Sequence, residues 1–149
     1  MAKVEDIMTK NLSPVTPSTS IREVARRMRD SGSGVIPVCE HGKLRGLITD
    51  KAIVSRVVAS DQDARKERAG ALMSNDGPKV PLGCDAVDAA KIMATHGAHY
   101  IAVVQNGGRY AGLLTLTDLI KESMVLASMV LATSETMGSS QQPREKVKV

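Results

Sequence analysis

Aromatic side chains are almost missing from this chain: none of its 149 residues is Phe or Trp, and the only aromatics of that kind are Tyr100 and Tyr110. The core must therefore be aliphatic, and stacking platforms for nucleic-acid bases are scarce. Cysteine is nearly as rare, and Cys39 and Cys84 lie too far apart in sequence for a metal knuckle or a redox pair. No apolar run approaches the roughly 20 residues of a membrane span. The stretch Met1-Ala2-Lys3-Val4-Glu5-Asp6 also lacks the apolar core of a signal segment. The expectation is a soluble cytoplasmic protein with no membrane partner. Signatures of catalysis are missing too. There is no nucleophile elbow, no glycine-rich phosphate loop and no His/Cys/Asp cluster at metal spacing, so no catalytic residue, metal ligand or required cofactor is nominated.

What is present is ordinary globular composition, 42% hydrophobic and 24% charged. The formal charge is +4 and the sequence pI about 9.2. The basic excess lies in local runs, which suits anionic ligands in general without singling out nucleic acid. A chain of this length builds one domain, or two small halves that share one.

Read in order, the chain begins with a short apolar anchor at Ile7, Met8 and Thr9, followed by a non-helical segment holding Pro14 and Pro17. A helix then starts at Ser20, with Glu23 at capping-box spacing. Ile21, Val24, Ala25 and Met28 form its apolar stripe, Arg22, Arg26 and Arg29 stand on another face, and Gly32 stops it. Val35 to Cys39 reads as a buried strand, Glu40-His41-Gly42-Lys43 as a turn, and Leu44 to Thr49 as a second strand. A helix from Asp50 to Ala59 should place Ile53, Val54, Val57 and Val58 on one face.

The pattern then starts again. A shift of 65 residues matches Met8 with Met73, Ala25 with Ala90, Met28 with Met93, Gly32 with Gly97 and Val38 with Val103. One extra residue in the turn Asn106-Gly107-Gly108-Arg109 makes the shift 66, and Gly46, Leu47 and Thr49 then meet Gly112, Leu113 and Thr115. Asp85 takes the capping place of Ser20, and Ala86, Ala89, Ala90 and Met93 repeat the apolar stripe. The expected division is a first repeat over 1–60, a polar linker over 61–69, a second repeat over 70–132 and a disordered tail over 133–149. Neither half alone has enough strands to bury its helices. The expected fold class is therefore α+β, two pseudo-symmetric halves packed sheet against sheet, with ligand clefts between them. A last helix from about Thr117 to Leu131, apolar nearly all round, should pair with the same helix of a second subunit.

The duplicated order of anchor, helix, Val35-Ile36-Pro37-Val38 strand, hairpin, Gly46-Leu47-Ile48-Thr49 or Gly112-Leu113-Leu114-Thr115-Leu116-Thr117-Asp118 junction, and helix resembles the tandem CBS domain pair, named after cystathionine β-synthase. The resemblance covers about residues 4 to 125. It implies a regulatory or sensor module, a homodimer acting on an unknown regulated protein. The implied ligand is an adenosine-containing molecule in the cleft between repeats: AMP, ADP or ATP first, NAD or S-adenosylmethionine second. By resemblance, Asp118 is the ribose carboxylate, Thr115 and Thr117 are its hydroxyl partners, and Ser13, Pro14, Val15, Gly34, Val35 and Ile36 frame the adenine. A weaker second site is expected from Thr49 and Lys51 with Lys79, Val80, His99 and Tyr100, since the first junction has Ala52 where the second has Asp118.

Two other readings stay open at this level. Thr115 and Asp118 have capping-box spacing and could simply tie off a helix. The arginine face, the basic linker and the Arg144-Glu145-Lys146-Val147-Lys148 run could instead mark a nucleic-acid or protein interaction module with vestigial clefts.

Overall fold

The structure, a computed structural model, describes residues 2–141 and the side-chain surroundings of residues 2–132. Its elements are α1 (Val4–Ile7), α2 (Ile21–Ser31), β1 (Val35–Glu40), β2 (Lys43–Thr49), α3 (Asp50–Ile53), α4 (Ala69–Leu72), β3 (Lys79–Pro81), α5 (Ala86–His96), β4 (Tyr100–Gln105), β5 (Arg109–Thr115), α6 (Leu116–Glu122) and α7 (Met124–Gln141). Strand neighbours follow the order β1-β2-β5-β4-β3. The class is α+β, and the element order of the first half recurs in the second.

The chain divides into two compact units, neither continuous in sequence. One contains the described parts of Met1–Thr9, Pro78–Val103 and Gly112–Val149; the other contains Lys10–Gly77 and Val104–Ala111. Each is therefore completed by an anchor segment that precedes the other repeat. In the first, Thr9 and Leu113 exchange two backbone hydrogen bonds of 2.8 and 3.0 Å, Val4 N–H donates to Cys84 O, and Ala86 N–H donates to Ala2 O. The second unit repeats these contacts at equivalent positions: Ser74 and Leu47 exchange two bonds, Ala69 N–H donates to Thr19 O, and Ile21 N–H donates to Glu67 O. The polar segment expected as a plain linker thus satisfies the free N–H groups at the start of α2.

The cores are aliphatic. Ile21, Val24 and Met28 are buried along α2, and Ala86, Ala89, Ala90 and Met93 along α5. Ala25 is exposed, so the α2 stripe is narrower than its sequence pattern. Ser20 caps α2 by accepting the Glu23 N–H. Asp85 makes no such cap; its carboxylate is turned to Lys3, 2.7 Å away. His41 and Gly42, at φ 54° and 78°, form the left-handed pair that a two-residue hairpin turn requires. A bulge between Val38 and Cys39 follows in the paired strands.

Three stretches depart from their sequence patterns. The helix after β2 ends as α3, and Val54–Val58 forms a π-helical turn in which Ala59 N–H reaches back to Val54 O. The wider turn leaves Ile53 and Val57 buried but turns Val54 and Val58 to solvent. The last helix is two helices, because Ser123 is extended at φ −159° and ψ 121° and its hydroxyl accepts the Leu126 N–H at the start of α7. Helix α7 continues to Gln141, through part of the segment expected as tail; residues 142–149 lie outside those described. Leu126, Ala127 and Val130 face the core, and α7 packs on α5.

The cysteines and the half-buried Tyr110 provide no ready nucleophile. Burial pushes the Cys39 thiol up to about 11 and the Tyr110 phenol up to about 12, so both stay protonated at neutral pH. Among the described residues, the Tyr110 hydroxyl is buried without a hydrogen-bond partner.

Glycine stands where each anchor crosses a strand. A Cβ on Gly46 would stand 2.7 Å from the Ser74 carbonyl oxygen, whereas one on Gly112 would stand 2.6 Å from the Met8 sulfur. Backbone cannot yield as a flexible thioether can. Gly46→Ala should therefore destabilise by about 1–3 kcal/mol and Gly112→Ala by clearly less. Urea unfolding of the two variants measures the difference, and equal losses would contradict the strain assignment.

Candidate functional site

The strongest cluster of polar groups is at the junction of β5 and α6. Thr115 is extended at φ −113° and ψ 163°, ending the strand and opening the helix. Its hydroxyl accepts the Asp118 N–H at 3.2 Å, and Asp118 Oδ2 accepts the Thr115 N–H at 2.9 Å. The capping box is real, and it consumes only part of the carboxylate. From the anchor, the Thr9 hydroxyl lies 3.2 Å from both Oδ1 and Oδ2. Asp118 is half-buried and has no ion-pair partner among the described residues, so its charge is met by neutral donors alone.

His99 joins this cluster through its backbone, its carbonyl accepting the Leu116 N–H at 2.8 Å, while its side chain is exposed. Thr117 is exposed beside Asp118. Lys79, Val80 and Tyr100 belong to the same compact unit; Lys79 is exposed, Tyr100 is half-buried, and the Val80 side chain is in the core.

The corresponding junction of the other unit has the same frame. Thr49 accepts the Ala52 N–H at 3.1 Å, Asp50 N–H donates to Gly34 O at 2.9 Å, and Val35 lies opposite Thr49 in the β1–β2 ladder. Its chemistry differs. Ala52 offers no carboxylate, and the acidic group here is Asp50, two positions earlier. Asp50 Oδ1 accepts the Lys51 N–H at 2.7 Å, and Oδ2 would stand 2.8 Å from a Cβ on Gly34. The negative group thus lies over the Gly34 backbone, at the strand start named in the sequence reading as part of the adenine frame. Ser13 and Pro14 are exposed, whereas Val15, Val35 and Ile36 turn their side chains into the core and present only backbone.

The structure therefore brings Asp118, Thr115 and Thr117 into one unit with Lys79, Val80, His99 and Tyr100, and places Thr49 and Lys51 with Ser13 to Val15 and Gly34 to Ile36. The grouping drawn from the sequence crosses this division. Sequence reasoning also missed Thr9, read there as part of an apolar anchor, and Asp50. The shift of 65 residues pairs Thr9 with Ser74, two hydroxyls, and that match was the available signal for Thr9.

An open cleft of about 440 Å³ lies elsewhere, against Arg56, Ser60, Gln62 and Glu67. Arg56 there donates to the Ala71 and Leu72 carbonyls, closing the end of α4. No residue nominated from the sequence lines it. Among the described residues, no group of three His, Cys, Asp or Glu side chains could hold a metal ion, and no helix is long and apolar enough to cross a membrane.

Comparison with known proteins settles the frame. The CBS domain family model matches twice, over residues 4–59 and 69–125. The chain belongs to the CBS domain family. It is 31% identical over 124 residues to the CBS domain-containing protein YhcV of Bacillus subtilis, covering 83% of this chain and 87% of that protein. A CBS domain protein of unknown function from Thermoplasma acidophilum superposes with a TM-score of 0.79 at 26% identity, covering 91% of this chain and 77% of that one. CBSX2, solved in complex with AMP, superposes with a TM-score of 0.72 at 22% identity, covering 85% and 98% of the two chains. As a CBS pair the chain is a regulatory module, and no catalytic family is indicated.

Because Asp118 closes the α6 capping box, Asp118→Ala should cost about 1 kcal/mol of folding stability before any ligand is added. Chemical denaturation measures this, and an unchanged midpoint would mean the box contributes nothing.

Proposed function

We propose that this CBS pair senses an adenosine-containing ligand, AMP, ADP or ATP ahead of NAD or S-adenosylmethionine, held through Asp118, and relays its presence to a regulated partner. The observation that carries this reading is the Asp118 carboxylate: half-buried, free of ion pairs among the described residues and oriented by two neutral donors. A carboxylate has about four acceptor positions, so two donors leave room for a vicinal diol. The AMP complex of the structural neighbour CBSX2 supports the same ligand class. The Lys79 ammonium and the His99 imidazole, exposed in the same unit, are available to phosphate. The Thr49 junction is the weaker one, since Ala52 has no acceptor and Asp50 places negative charge beside Gly34. The ligand is read as an effector, with no cofactor required.

The interaction-module reading loses support from the arginine face. Glu23 lies 3.9 Å from Arg26 and 3.6 Å from Arg27, and Arg29 pairs with Asp30 at 2.9 Å. The basic run at 144–148 lies outside the described residues.

Calorimetric titration with AMP, ADP and ATP should give one strong site per chain for at least one of them. Asp118→Ala should weaken it by about ten-fold or more, the scale of a lost hydrogen bond to a charged group. Absence of binding by all three, and by NAD and S-adenosylmethionine titrated in the same way, would refute the assignment, and two equal sites would refute the asymmetry.

The partner proposed for the outer side of the last two helices is a second copy of the chain. Met124 and Val125 are 67% and 72% exposed, with Ile120 exposed nearby, while the other side of α7 covers α5. Deleting the helix would uncover that core, so a point substitution is the cleaner probe. Val125→Glu should convert a dimeric particle to a monomeric one in light scattering. A monomeric parent protein would refute the pairing, and a variant that stays dimeric would place the contact elsewhere.

A further inference from the structure

Resting on the nucleotide reading above, we infer that Thr9 is a positioning residue for the ligand: its hydroxyl sets the Asp118 carboxylate to receive both hydroxyls of a ribose. A carboxylate turns easily about its last torsion, which has broad minima. Here two donors from different parts of the chain pin it, the Thr115 N–H on Oδ2 at 2.9 Å and the Thr9 hydroxyl at 3.2 Å from each oxygen. With one N–H on Oδ2 and a single hydroxyl proton shared between both oxygens, the carboxylate keeps acceptor capacity for a pair of adjacent hydroxyls.

Thr9 is itself held firmly. Its N–H and C=O are both paired with Leu113, at 2.8 and 3.0 Å. The segment leading to it is tied by Val4 N–H to Cys84 O, by Ala2 O to Ala86 N–H and by the 2.7 Å Lys3–Asp85 ion pair. A β-branched side chain on such a backbone has few χ1 choices, so its hydroxyl is placed before any ligand arrives.

The other unit contains an internal comparison. Ser74 occupies the position equivalent to Thr9 and makes the same two backbone bonds, with Leu47, but the residue equivalent to Asp118 is Ala52. There the hydroxyl donates instead to Asp76 Oδ1 at 2.6 Å. The backbone clamp is common to both units, and the contact between anchor hydroxyl and junction carboxylate occurs where the carboxylate exists. Packing the anchor does not require that contact.

The test compares AMP with 2′-deoxy-AMP by calorimetry on the parent protein, Thr9→Val and Thr9→Ser. Thr9→Val should weaken AMP about five-fold, within the range for a hydrogen bond to a charged group, and change 2′-deoxy-AMP less, so that the preference for the ribonucleotide shrinks. Thr9→Ser should restore both affinity and preference. Equal weakening of the two nucleotides, or an unchanged preference, would overturn the positioning role while leaving the nucleotide assignment intact. A parent protein that binds neither nucleotide, nor ADP, ATP, NAD or S-adenosylmethionine, would overturn the assignment and this inference with it. Should Thr9→Val fail to fold by its melting curve, Thr9→Ala is read by the same criteria.

Discussion

The exchange of backbone hydrogen bonds between an anchor residue and a strand, Thr9 with Leu113 and Ser74 with Leu47, is the constraint on which the two units depend. Each is a two-bond antiparallel clip that fixes an anchor across a strand just before the strand turns into a helix. Gly46 is demanded by it, because the Ser74 carbonyl occupies the volume a Cβ would take, and Gly112 makes room for the flexible Met8 side chain. The clip also delivers a hydroxyl, Thr9 or Ser74, to the neighbourhood of the junction. Local backbone pairing, close packing and site chemistry therefore meet at the same few residues.

From this common frame the two junctions diverge by small changes of residue. Thr115 and Thr49 cap their helices alike, and Leu116 and Asp50 donate to His99 and Gly34 alike. Their chemistry separates where the carboxylate moves. At Asp118 it is half-buried, held by neutral donors and open to further acceptor contacts, whereas at Asp50 it is exposed and lies over Gly34. A duplication that keeps its scaffold and shifts one acidic side chain by two positions leaves two junctions with unlike acceptor groups, the basis of the asymmetry proposed for this protein.

The repeat, the β1–β2 hairpin and the Ser20 cap were legible in the sequence because each has a signal in the residue pattern: the 65-residue match, the His41–Gly42 turn and the Ser20–Glu23 spacing. What was not legible depends on contacts distant in the chain. Thr9 looked like the end of an apolar anchor until Leu113 placed it beside Asp118. Asp85 looked like a cap until Lys3 took its carboxylate. Each anchor also belongs to a unit that contains mostly the other repeat, a grouping that rests on contacts distant in the chain. The π-turn at Val54–Val58 and the break at Ser123 escaped for a different reason. Both sit inside runs whose apolar spacing fits a regular helix, and only the backbone hydrogen bonds distinguish them.

The account turns on where the ligand is held, and a crystal structure of the protein grown with AMP addresses that directly. The prediction is a nucleotide whose two ribose hydroxyls lie within hydrogen-bond distance of the Asp118 carboxylate, with the Thr9 hydroxyl and the Thr115 N–H still in place behind it. A nucleotide bound with its ribose away from Asp118, or seated only at the Thr49 junction, would contradict the account.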